Sequence, residues 1–190
     1  MGDIVFTSDT DVSLEDLTGA ANLSVTSGGI LTAMGTANIT GATTVEAVAA
    51  TMNTASSLSA ASLEATFTND TVLDRLTTTG DTTVTVSTGT LTLNDDLSVG
   101  GALTLISNGT TQNANITAGT GTITAGTGPF TMASGTNFTT IFGDINITSD
   151  TDVSLADLTG AANLSVTSGG ILTTMGTANI TGATTVLLQP

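Results

Sequence analysis

The 190-residue sequence has no cysteine, histidine, tryptophan or tyrosine, and its only basic residue is Arg75. Without cysteine, neither a disulfide nor a thiolate metal site can staple the chain. Without lysine, and with sixteen acidic residues setting a net charge of −15, nothing is available to neutralise phosphates. Nucleic acid is therefore not expected as a partner, and an anionic membrane surface is disfavoured for the same reason. The usual catalytic bases and nucleophiles are missing with His, Cys, Lys and Tyr, so no catalytic residue is assigned, no enzyme activity is expected and no cofactor is required. A carboxylate pair in a polysaccharide-cleaving site would need aromatic platforms that Trp and Tyr would supply. No apolar run reaches about 18 residues, so membrane insertion by a helix is not expected.

Charge is sparse as well, at 9% of residues, while mean hydropathy is positive at +0.37. That combination is the reverse of a disordered chain. The opening Met1-Gly2-Asp3-Ile4 has neither a basic region nor an apolar secretory core. Met1 reads as an initiator added to a fragment, with any export signal lying outside this sequence.

What is present is repetition. Gly2 to Val45 reappears as Gly143 to Val186, shifted by 141 positions, with 40 of 44 residues identical. The differences are Val5/Asn146, Phe6/Ile147, Glu15/Ala156 and Ala33/Thr174. Residues 2–142 form one unit and 143–186 the start of the next copy, so residues 1–190 constitute a single segment of a longer array. Arrays of long, near-identical units serve reach and presentation.

Within the unit, short runs alternate an aliphatic with a small polar residue, as in Leu23-Ser24-Val25, Val84-Thr85-Val86 and Leu103-Thr104-Leu105. Gly, Asn and Asp punctuate them. Period-two runs of about three to five residues predict half-buried strands too short for a deep sandwich. They fit an all-β, right-handed parallel β-helix (a β-solenoid), with a narrow core of Val, Ile, Leu and Ala and outward Thr. Coils of about 20 residues would place seven in the unit and nine in the chain, a rod roughly 45 Å long. The stretch from Glu46 to Leu76 fits less well. Its Ala-rich segments favour a helix locally, while its Thr and Ser pull toward strand. The spacing also departs from a strict coil repeat between Thr110 and Gly128. Arg75, beside Asp74 and near Asp70, reads as a local ion pair on a solvated loop.

Asn22-Leu23-Ser24-Val25-Thr26-Ser27-Gly28-Gly29-Ile30-Leu31-Thr32, copied at 163–173, alternates and then turns at Gly-Gly; Asp96 to Leu105 does the same. These segments resemble the coil repeats of large bacterial surface adhesins of the filamentous haemagglutinin and autotransporter-passenger type. The resemblance implies a right-handed β-helix, export to the extracellular bacterial cell surface, and a role as an adhesin shaft or filament. Copies of the chain end to end are the expected partners. Host, cell-surface or polysaccharide ligands would bind through regions outside this sequence. A self-assembling surface-layer or sheath subunit is the alternative reading.

The sharpest chemical cluster is Asp9, Asp11, Glu15 and Asp16, copied as Asp150, Asp152 and Asp157. Closely spaced carboxylates on a turn suit Ca²⁺, although Leu14 stands where an EF-hand loop needs Gly and Ala156 replaces Glu15 in the copy. Nine Asn-x-Ser/Thr triplets read as turn chemistry before strands. Gly119-Thr120-Gly121 and Gly126-Thr127-Gly128 lack the Lys and helix of a phosphate loop and read as turns. Thr83-Val84-Thr85, Thr90-Leu91-Thr92 and Thr122-Ile123-Thr124 raise an ice- or carbohydrate-binding β-solenoid as a further alternative. For ice, their uneven spacing argues against one regular face.

Overall fold

The computed structural model describes residues 2–52, 56–160 and 162–189; of Ala20 only the backbone is described. Met1, read above as an added initiator, lies outside them. Among the described residues there is no helix, and all strand pairings are parallel. The chain is a β-solenoid of nine coils, each contributing one strand to each of three faces. In the first coil these strands are Ile4–Ser8, Val12–Leu14 and Leu17–Ala20. The strand Thr184–Leu188 opens a tenth coil.

Register on the first face defines the coil. Ile4 pairs with Leu23, then Thr43, Leu63, Thr82, Leu103, Gly121, Ile145, Leu164 and Thr184 follow in turn. Coil length therefore varies between 18 and 24 residues, and Ile4 to Ile145 spans seven coils. The 141-residue duplication is thus a whole number of coils, which lands every copied residue on the same face as its original.

Alternation works as a half-buried strand requires, inward residues forming a continuous column. Val25, Val84, Leu105, Ile123 and Ile147 are each at most 1% exposed. Aromatics enter this core as well: Phe67, Phe130 and Phe138 are buried, and a Cβ at Gly121 would strike the Phe138 ring. Gly121 is therefore a packing residue inside a strand. Gly119, in the same strand, lies under the Phe142 ring, while Gly126 sits in a corner at φ +47°.

One open reading is decided and one expectation needs correction. The segment from Glu46 to Leu76 is regular solenoid in its described residues, without a helix: Ala42–Ala47 and Ser62–Phe67 pair along six residues. Ala47, Ala50, Ala60 and Ala65 are inward core residues, so their helix propensity is overridden by packing. Residues 53–55 of that stretch lie outside the described residues. Second, Leu97–Ile106 and Ile116–Thr124 are ten and nine residues long. Each runs through a corner from the third face onto the first, where Gly100-Gly101 and Gly119 leave room for the bend. The irregularity between Thr110 and Gly128 is real: the seventh coil, opening at Gly121, takes 24 residues and widens at its corners, among them Ala125 to Pro129.

Candidate functional site

The acidic side chains do not surround a common point. Asp9 and Asp11 stand at the corner after the first strand, Glu15 and Asp16 at the next corner, with the strand Val12–Leu14 between them. Asp11 Oδ1 accepts the Ile30 N–H at 2.8 Å, and Asp16 Oδ1 accepts the Thr36 N–H at 2.8 Å. In the copy, Asp152 accepts from Ile171 and Asp157 from Thr177, both at 2.8 Å. Asp9 and Asp150 lie on the backbone path over which Gly28 and Gly169 pass. Ala156, in place of the exposed Glu15, is buried. Among the described residues no group of three or more His, Cys, Asp or Glu side chains is placed to hold a metal ion.

What most of the aspartates do is join coils. Asp70 accepts from Thr90, Asp81 from Ala102 and Asp96 from Asn115, at 2.8, 2.9 and 2.9 Å, always a backbone N–H of the following coil. Asn22 and Asn163 do the same for Ala42 and Ala183. At most of these corners the donor is preceded by Gly, because a Cβ there would collide with the acceptor residue: Gly29 over Asp11, Gly35 over Asp16, Gly41 over Asn22, Gly101 over Asp81. The legible signal is an Asp or Asn followed 18 to 20 residues later by Gly. It crosses a whole coil, so a reading confined to local motifs takes the carboxylates for a cluster and the glycines for turns.

Arg75 pairs with Asp95 of the next coil at 3.0 Å, and neither Asp74 nor Asp70 is its ion-pair partner. Its side chain is 61% exposed, so the pair contributes at most about 1 kcal/mol. Asp74 is buried and neither carboxyl oxygen has a hydrogen-bond partner. Desolvation, reinforced by the charge of Asp95, holds its pKa above the ordinary carboxylate value.

The outward residues of the first face form two columns in register. Thr83 and Thr85 pair with Thr104 and Ile106, then with Thr122 and Thr124, and onward with Asn146 and Thr148, and Ser165 and Thr167. Coils of 18 to 24 residues bring side chains unevenly spaced in sequence into one register. Thr90 and Thr92 belong elsewhere, Thr92 lying on the second face beside Thr111.

Comparison with family models, with curated proteins and with solved structures finds no match.

Proposed function

We propose that this chain is a shaft segment of an extended bacterial surface β-solenoid of the adhesin type, whose task is to hold a binding tip away from the cell. A comparison inside the molecule carries the reading. In the first coil Ile4, Phe6, Val12, Leu14 and Leu17 are only partly buried, with no coil of the described residues beneath them. Their copies Ile145, Ile147, Val153, Leu155 and Leu158 are 0, 1, 0, 5 and 2% exposed, because the seventh coil lies beneath the eighth. The underside of the first coil is therefore a coil-docking surface. At the other edge of the described residues Val186 is 49% exposed where its original, Val45, is 8%.

A coil-docking surface at each edge and a repeat of whole coils make a unit that extends by stacking. Extracellular location follows from the same reading, since long shafts present ligands outside the cell. The test is length. A chain carrying one further 141-residue unit should be a rod about 34 Å longer at unchanged cross-section, as measured by small-angle scattering. A particle that thickens or folds back on itself would defeat the proposal.

A further inference from the structure

We infer that the first face, from the fifth coil to the ninth, binds a crystalline ice surface. The register places hydroxyl-bearing side chains in two adjacent columns, interrupted by Ile106 and Asn146. Along the strand, Thr83 and Thr85, or Thr122 and Thr124, stand two residues apart, about 6.6 Å. Across the strands, neighbouring coils repeat at about 4.8 Å. A crystalline ice surface also presents its oxygens in rows, so a regular array of hydroxyls can bond to many of them at once. Each Thr offers a hydroxyl that both donates and accepts, beside a methyl that shields its neighbours from bulk water.

Three further observations point to ordered water over general solvation. Charge is withdrawn from this patch: the charged outward side chains of the described first face are Glu46 and Glu64, in the third and fourth coils, and the patch begins above them. No outward aromatic interrupts it, and Ile106 is the one apolar member of the columns within it. The support beneath is rigid, since Val84, Leu103, Leu105, Ile123 and Ile145 are 1% exposed or less. A rigid lattice loses little conformational entropy on meeting a rigid surface, so many weak contacts add. The second face differs, with a single outward column through Thr92, Thr111 and Thr131.

The experiment is ice shaping and recrystallisation inhibition by the whole chain, at a concentration where it sediments as one species. Faceted crystals and arrested grain growth are expected. Thr122→Tyr, which keeps a β-favouring residue but raises a bulky ring from the lattice, should reduce both to the level of buffer. Thr111→Tyr on the second face should retain them, with both variants matched to wild type in circular-dichroism melting. Thr85→Tyr replaces Thr122→Tyr if the latter fails to fold. Wild-type crystals identical to those in buffer, or equal loss from both faces, would overturn the inference.

Discussion

At the scale of single residues, Asp and Asn share the job of joining one coil to the next, and the molecule supplies its own control: Asn22 and Asn163 accept the same N–H from the next coil that Asp16 and Asp81 accept elsewhere. One carbonyl-type oxygen suffices. Asp81→Asn should therefore leave the melting temperature nearly unchanged, whereas Asp81→Ala, which orphans the Ala102 N–H, should cost about 1–2 kcal/mol in denaturant unfolding. A metal-binding carboxylate would show the opposite sensitivity to Asn, so equal damage from both variants would speak for a cation. Asp74 is the exception among the carboxylates, buried and without a hydrogen-bond partner. Because its folded pKa is raised, the folded state holds the proton more tightly than the unfolded chain. Its contribution to stability is fully present below the ordinary carboxylate value and is lost as pH rises through the raised value. Asp74→Asn should stabilise the protein by about 1 kcal/mol at pH 7 and change little at acidic pH, when unfolding midpoints are compared. A variant that is less stable at neutral pH would show that the carboxylate has a partner after all.

At the scale of strands and coils, the column is not uniformly filled. An apolar cavity of about 70 Å³ runs through the first four coils, lined by Val25, Val45, Ala50 and Ala65 among others. Thr43 also lines it, with its hydroxyl buried and unpaired. Leu23 and Leu63 are its register neighbours, so an aliphatic side chain suits the position. Thr43→Val keeps the shape and removes the orphaned hydroxyl, and should raise stability by about 1–2 kcal/mol in urea titration. No gain would mean that the hydroxyl is satisfied in solution. The strands themselves were legible, since alternation at Leu23-Ser24-Val25 or Leu103-Thr104-Leu105 reports burial directly. Three features were not. Ala47, Ala50, Ala60 and Ala65 pack inward on strands but carry a helical propensity; the long strand Leu97–Ile106 turns a corner where the sequence shows only Gly-Gly; and the aspartate–glycine pairs link positions a full coil apart. Each depends on which residue lies in the coil above, and that is fixed by variable coil length, not by local pattern. The same cause hid the Thr columns of the first face.

At the scale of the whole molecule, the two ends differ in charge, and this sets how copies meet. The first coil carries Asp3, Asp9, Asp11, Glu15 and Asp16, whereas residues 164–189 contain no acidic side chain. Two first-coil ends repel one another. A first-coil end against a last-coil end meets no such opposition, and only that contact preserves the parallel pairing found throughout the solenoid. Both partners offer unpaired strand edges there, Ile4–Ser8 from one and Thr184–Leu188 from the other. The contact is heterologous and does not close, so it propagates. The net charge of −15 works against every approach, however, and its reach is about 10 Å at 0.1 M salt. Raising salt should therefore drive association: sedimentation should resolve a concentration-dependent series, and micrographs should show rods whose lengths step by roughly 45 Å. Val186→Glu and Leu188→Glu place charge on the last strand, where the originals are 49% and 57% exposed and contribute little to the core. These variants should melt as wild type does while the series collapses to its first member. A wild-type series that stops at two would identify pairing of the neutral ends instead, and a single species at high salt and high concentration would show that neither open edge recruits a second copy.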